Sequence, residues 1–69
     1  MEISARNTFR GTVKDIKHGD VNSEIVVELS PDYSITSVIT KESAERLQLK
    51  IGKTVFAVVK ASDVMIGID

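Results

Sequence analysis

Residues 34–47 read SITSVITKESAERL, and they decide the fold because the spacing of their hydrophobic residues changes at Thr40. Before Thr40, Ile35 and Ile39 would share one face of an extended chain and Val38 the opposite face, which is typical of a β-strand. After Thr40 they stand three apart, which is typical of a helix, and threonine is a favourable N-cap. We therefore predict a strand over 34–40 that is followed directly by a short helix over 41–47.

Four further strands are predicted on either side of this stretch, over 3–17, 22–29, 54–60 and 64–68. Turn signals at 18–20 and 30–32 separate the first three strands, and Gly11 marks a bulge or bend within the first. Five strands with one helix between the third and fourth is the element order of a small OB-type barrel. The predicted fold is mainly β, a five-stranded OB-like barrel with one short helix, and residues 1–69 form one domain.

The fourth and fifth predicted strands are apolar on both faces. The fourth contains VFAVV at 55–59, and the fifth contains VMI at 64–66. A strand of a lone small barrel should alternate, because one side meets water. The short helix can cover only one place on the surface, so we predict that a second copy of the chain covers the rest.

Composition excludes several classes of protein. The chain has 69 residues, no cysteine, a single histidine (His18), 42% hydrophobic residues and a net charge of −1. Disulfides, thiolate zinc sites and a disordered chain are therefore excluded. No apolar run approaches the roughly 20 residues that span a bilayer, and the first residues lack the features of a secretion signal. We expect a cytoplasmic protein.

Neither catalysis nor nucleic-acid binding is predicted. His18 has no orienting carboxylate at a diagnostic spacing, and no cysteine nucleophile or phosphate-binding glycine loop occurs. The carboxylate pairs Glu24–Glu28 and Glu42–Glu45 are interpreted as charges on solvent-exposed faces rather than as catalytic pairs. The chain has only three aromatic residues on which bases could stack. Its net charge is slightly negative, which is unfavourable for binding the phosphates of a nucleic acid.

Hydrogen-bond donors and cations gather near the predicted strand ends. Ser4 and Arg6 precede the first strand, Lys60 ends the fourth, and Thr40 and Ser43 mark the strand-to-helix corner. A tetrahedral oxyanion offers only acceptors, so it is bound by such groups. The residue types alone leave two interpretations open, an oxyanion site and ordinary solvated strand ends, and they favour the second.

Five stretches resemble the molbindins, the small molybdenum-pterin-binding (Mop) proteins. They are 3–7 (ISARN), 11–13 (GTV), 21–26 (VNSEIV), 37–40 (SVIT) and 59–65 (VKASDVM), and they cover essentially the whole chain in order. The resemblance reverses the preference above. It implies a cytoplasmic, non-catalytic protein that assembles as a hexamer, a trimer of dimers, and binds molybdate or its mimic tungstate between subunits. The single Mop module implies storage or homeostasis of the anion; the alternative is an assembly module that binds no anion or a different one.

The resemblance also implies two kinds of site. For the first, its ligands correspond to Ser4, Arg6, Lys60 and Ala61 of one subunit and to Thr40 and Ser43 of its neighbour. For the second, near a threefold axis, the candidates are the turn residues Gly19, Val21, Asn22 and Ser23. No protein atom would coordinate the metal directly, because the anion keeps its own four oxygens.

Overall fold

The computed structural model describes residues 2–69 as one curled antiparallel sheet with a short helix. The elements are β1 (Asn7–His18), β2 (Asn22–Ser30), β3 (Tyr33–Thr40), α1 (Lys41–Arg46), β4 (Thr54–Val59) and a 3₁₀ turn (Ala61–Asp63). The strands are ordered β3-β2-β1-β4. The mainly β fold with one helix between the third and fourth strands is as predicted.

A small core lies on the concave side of the sheet. Val13, Ile25, Val27 and Ala44 are its buried apolar residues. Ile25 and Val27 lie two apart in β2, and the period of two along a strand puts both on the inner face. Leu29 extends this row and is half-buried.

Thr40 caps α1, as predicted. Its Oγ1 accepts a hydrogen bond of 3.0 Å from the backbone N–H of Ser43. The helix ends at Arg46, with Leu47 as its C-cap, and the Nζ of Lys53 donates a 2.8 Å bond to the carbonyl oxygen of Leu47. The lysine thus satisfies a carbonyl that the end of a helix leaves without a partner.

The predicted fifth strand is wrong for the single chain. Residues 64–68 form no strand, and Met65 and Ile68 are 93% and 95% exposed. Strand propensity describes the segment alone, whereas a strand also needs a hydrogen-bonding neighbour. Among residues 2–69 nothing pairs with this segment, which we call the arm, and four strands rather than five form the sheet.

An apolar groove of about 510 Å³ lies where a fifth strand is missing. The edge strands β3 and β4 form its two sides. Eleven of its lining residues are apolar, among them Ile25, Val27, Ile35, Ile39, Leu49 and Val55. In the single chain the barrel is therefore open along one side.

The first strand differs from its prediction in two ways. It begins at Asn7 rather than at residue 3, so the preceding residues lie outside the sheet. Its irregularity falls between Val13 and Asp15, where the β1–β2 register shifts, and not at Gly11. Glycine at position 11 serves another purpose, the close approach of two strands. A Cβ there would stand 2.7 Å from Cγ1 of Val27.

No helix among residues 2–69 has the length and the hydrophobicity that crossing a membrane requires.

Candidate functional site

The pairing of Asn7 with Val59 brings two distant parts of the chain together. Asn7 begins β1, Val59 ends β4, and the two strands are antiparallel. Residues that precede Asn7 and residues that follow Val59 therefore leave the sheet at the same end. This pairing explains why a site can combine residues that are more than 50 positions apart in the sequence.

Four of the predicted ligands line one cavity at this end of the sheet. Ser4, Arg6, Lys60 and Ala61 all contribute to a cavity of about 490 Å³, which we call the Arg6 cavity. Its other lining residues are Ile3, Ala5, Val58, Ser62 and Asp63. The cavity thus combines two cations and two hydroxyls, which are groups that bind an anion, with one acidic residue, Asp63.

Ser62 and Asp63 are members of this cavity that the sequence prediction missed. They belong to the 3₁₀ turn, in which the N–H of Asp63 donates a 2.9 Å bond to the carbonyl oxygen of Lys60. In such a turn residue i+3 folds back over residue i, which places Asp63 beside Lys60. The signal in the sequence was the short polar stretch directly after Lys60 and Ala61.

Both cations of the Arg6 cavity remain available to a ligand. The single ion pair among residues 2–69 joins Lys14 and Glu28, whose charged atoms are 3.5 Å apart on the exposed face of the sheet. Arg6 and Lys60 therefore have no carboxylate partner within the described residues. The described residues also contain no cluster of three or more histidine, aspartate or glutamate side chains that could hold a bare metal ion.

Thr40 and Ser43 lie apart from the Arg6 cavity. Thr40 pairs with Asn22, next to the end of β1 at which His18 pairs with Ser23. Nearly the whole length of β1 separates this corner from Arg6, and each strand residue adds about 3.3 Å. Within one chain these two hydroxyls and the Arg6 cavity do not meet.

At that corner the two hydroxyls contact each other. The Oγ1 of Thr40 donates a 2.8 Å hydrogen bond to the Oγ of Ser43. Thr40 is exposed and Ser43 is partly exposed. The corner presents a preformed pair of hydroxyls to whatever lies against it.

The second predicted group occupies the turn that joins β1 and β2. The N–H of Gly19 donates a 2.7 Å bond to the carbonyl oxygen of Asn22, and Lys41 N–H donates one of the same length to the carbonyl oxygen of Val21. Ser23 is 1% exposed. Its Oγ shares a 2.6 Å hydrogen bond with the Nδ1 of His18. The structure thus places Gly19 and Val21 in the turn and Asn22 and Ser23 at the start of β2, but the N–H of Gly19 and the Ser23 hydroxyl already have partners.

Sequence comparison gives a family match and close relatives. The TOBE domain family matches residues 3–66. Molybdenum-pterin-binding protein 2 of Clostridium pasteurianum is 47% identical over 66 residues, which are 96% of this chain and 97% of that protein. Molybdenum transport protein ModE of Azotobacter vinelandii is 50% identical over 66 residues, but the chain spans only 24% of its length.

Solved structures are similar over nearly the whole chain. MopII from Clostridium pasteurianum, in an apo form, superposes with a TM-score of 0.91 at 45% identity and covers 97% of this chain and 100% of its own. A molybdate-binding protein from Sporomusa ovata gives 0.91 at 35% identity, with 99% and 100% covered. The cytoplasmic molybdate-binding protein ModG, with molybdate bound, gives 0.84 at 52% identity over 88% of this chain and 43% of its own.

Proposed function

The chain belongs to the TOBE domain family and to the molybdenum-pterin-binding proteins, and on that premise we propose that it binds molybdate reversibly. The observation that carries the proposal is the Arg6 cavity, in which two cations and two hydroxyls converge without a carboxylate partner for either cation. Molybdate is a tetrahedral dianion that accepts hydrogen bonds and donates none. The cavity and the ligand are chemically complementary.

Binding uses hydrogen bonds and charge, and the anion stays intact. Arg6 and Lys60 neutralise the two negative charges, while the Ser4 hydroxyl and the backbone N–H of Ala61 orient the oxygens. A hydrogen bond to a charged group contributes about 1.5–3 kcal/mol, so several of them give micromolar or tighter affinity after the cost of association. Tungstate, a dianion of the same shape, fits the same groups.

We propose that each site is completed by a neighbouring subunit. The separation of Thr40 and Ser43 from Arg6 within one chain supports this arrangement, because Thr40 is exposed and Ser43 is partly exposed at a corner that a second chain could reach. A second subunit that lays this corner against the Arg6 cavity adds two hydroxyls to the same anion. The turn residues Gly19, Val21, Asn22 and Ser23 are a second proposed site, with Asn22 as its freest donor.

The open groove supports a homo-oligomer, which we propose to be a hexamer built as a trimer of dimers. No strand fills the groove between β3 and β4. The apolar arm is exposed, and no strand among residues 2–69 pairs with it. An arm from a second subunit that lies along the groove closes the barrel and covers both sets of apolar residues. The exposed side chains of Phe56 and Val58 on the outer face of β4 supply further area for contact.

The cellular role that follows is storage and homeostasis of molybdate in the cytoplasm, without catalysis. Residues 1–69 act as a single Mop domain in this proposal. Support for a non-catalytic role comes from the groups in the Arg6 cavity, which bind an oxyanion but include no nucleophile activated by a base.

Isothermal titration tests the proposal. We expect the purified protein to bind molybdate and tungstate with micromolar or tighter affinity, and to bind sulfate far more weakly or not at all. Elemental analysis of the same sample, together with its mass in solution, gives the number of molybdenum atoms per oligomer. A flat molybdate trace from a folded oligomer would contradict molybdate binding and leave an assembly module as the remaining function.

A further inference from the structure

Three large apolar side chains lie exposed on the outer face of the two edge strands. Val38 of β3 is 66% exposed, and Phe56 and Val58 of β4 are 53% and 38% exposed. The residues on either side of each in the chain are half-buried, as the period of two along a strand requires when one face meets the core. Each edge strand therefore presents apolar surface to water on its outer face.

These exposed side chains stand beside the two halves of the proposed anion site. Val38 precedes Thr40 by two residues, and Val58 precedes Lys60 by two. The backbone stays extended through Thr40 and Lys60, with φ of −67° and −66°, so each pair shares one face of its strand. Two strand residues span about 6.6 Å, so the apolar neighbour lies equally far from the anion-binding group in both halves. Val58 also lines the Arg6 cavity itself.

The residues around the Arg6 cavity favour one alignment of the two subunits. A neighbour that brings its Thr40 to Lys60 can lay β3 along β4 in the same direction or in the opposite one. In the same direction, Val38 of the neighbour lies against Val58. In the opposite direction, Val38 lies against the 3₁₀ turn and its exposed acidic residue, Asp63. Only the first alignment covers apolar surface with apolar surface, and the second takes water from a charged group.

We propose that Val38 of one subunit packs on Val58 of its neighbour, and that this contact holds Thr40 and Ser43 at the neighbour's Arg6 cavity. The inference rests on the proposed function, because it concerns the subunit that completes the same anion site. Val38 is a positioning residue: it does not touch the anion, but it fixes where the two hydroxyls stand. Phe56, one step further along β4, continues the same apolar surface. The contact uses the outer face of the sheet, whereas the arm is proposed to lie in the groove, so the two contacts are separate.

Cysteine cross-linking tests the contact, because the chain has no cysteine of its own. Val38→Cys and Val58→Cys are introduced together into the full chain, and the folded protein is treated with a mild oxidant in the absence of molybdate. Val58 pairs with Thr8. Val38 pairs with Glu24, which in turn pairs with Lys17. Most of the length of β1 thus separates the two cysteines within one chain, far more than the roughly 7 Å between Cα atoms that a disulfide can span.

A disulfide in this variant must therefore join two chains. We expect a band at twice the mass of the chain on a non-reducing denaturing gel, and its loss on reduction. The two single-cysteine variants are the controls, and we expect little or no linked product from either. Linking by a single variant to the same extent as by the double variant, or no linked product from a folded double variant, overturns the contact.

A titration tests the positioning role. Val38→Thr keeps a β-branched side chain of similar shape and high strand propensity, but it places a hydroxyl in the apolar contact. We expect the molybdate Kd to rise about fivefold or more. Tyr33→Thr is the control, since Tyr33 is an exposed residue at the opposite end of β3, and its Kd should not change.

An unchanged Kd in Val38→Thr, or an equal rise in both variants, overturns the positioning role. A wild type that binds no molybdate contradicts the proposed function instead. The cross-link is measured without the anion, so this failure is distinguished from a failure of the contact.

Discussion

Gly11 in β1 lies so close to β2 that a Cβ on it would stand 2.6 Å from the carbonyl oxygen of Glu28. The neighbouring pair, Thr12 and Glu28, shows that this contact lies within the β1–β2 ladder. Real Cβ atoms do not approach a carbonyl oxygen so closely, so any side chain at position 11 must push the two strands apart. The glycine therefore permits the tight curl of the sheet.

Replacing Gly11 with alanine should destabilise the protein. The added methyl group meets backbone atoms that cannot move without breaking the ladder, and we expect the free energy of unfolding to fall by about 2 kcal/mol. Urea unfolding followed by circular dichroism measures it. Gly67→Ala is the control, because no atom lies within 4 Å of its added Cβ, and equal stability of the two variants would contradict the contact.

Removing the Arg6 guanidinium should weaken molybdate binding without changing the fold. Arg6→Ala loses a charge-assisted pair of hydrogen bonds, and we expect the affinity to fall about 10- to 100-fold by isothermal titration. Arg6→Lys keeps the charge but loses the planar fork, so its loss should be smaller. Arg10→Ala is the control, since Arg10 is an exposed residue of β1 that does not line the cavity. Equal losses for Arg6 and Arg10 would show that only overall charge matters.

Mixed oligomers test whether one site uses two subunits. Arg6→Ala and Ser43→Ala should each bind weakly alone. When the two variants are unfolded, mixed in equal amounts and refolded, about a quarter of the sites combine an intact Arg6 with an intact Ser43. Titration should then recover tight binding at that fraction of sites. Mixing the variants without unfolding is the control, and an absence of recovery after refolding would contradict a shared site.

The His18–Ser23 bond should contribute to stability. In His18→Ala the buried Ser23 hydroxyl loses its partner, and we expect the free energy of unfolding to fall by about 1–2 kcal/mol. Ser23→Ala should cost less, because the exposed imidazole of His18 can bond to water. The double variant should resemble Ser23→Ala alone, giving a coupling energy between the two residues. Additive losses would show that the hydroxyl has another partner.

A charge in the arm should dissociate the oligomer. Ile66 is exposed in the single chain, and in the proposed assembly it lies in the apolar groove of a neighbour. Ile66→Asp would bury a carboxylate among apolar side chains, so we expect a smaller particle by sedimentation or light scattering. Ile66→Val keeps the apolar character and should retain the wild-type size. An unchanged size for both variants would mean that the arm does not hold subunits together.

Local patterns predicted the elements that depend on near neighbours. The spacing of Ile35 and Ile39 predicted β3, and Thr40 predicted the start of α1. The strand is recognised by a period of two and the helix start by a single capping residue, so each prediction needs only a few neighbouring residues.

Features that depend on distant parts of the chain could not be predicted in the same way. The arm has a strong strand pattern but no partner among residues 2–69, and only the whole sheet reveals this. Gly11 was assigned a bulge because a glycine in a strand has several uses, and the choice among them depends on how close β2 comes. Asp63 lines the Arg6 cavity because it belongs to a 3₁₀ turn, and a turn of three residues has no hydrophobic periodicity from which it could be predicted.

The small core has a consequence for the life of the chain in a cell. Among residues 2–69 only four apolar residues are buried within a single chain, while the arm and both edges of the sheet are exposed. In the proposed oligomer, a newly made subunit would gain much of its folding free energy only on assembly, so dilution would lower its stability. We expect unassembled chains to be digested by proteases or to aggregate through their open edges, so the rate of synthesis itself sets how much working protein accumulates.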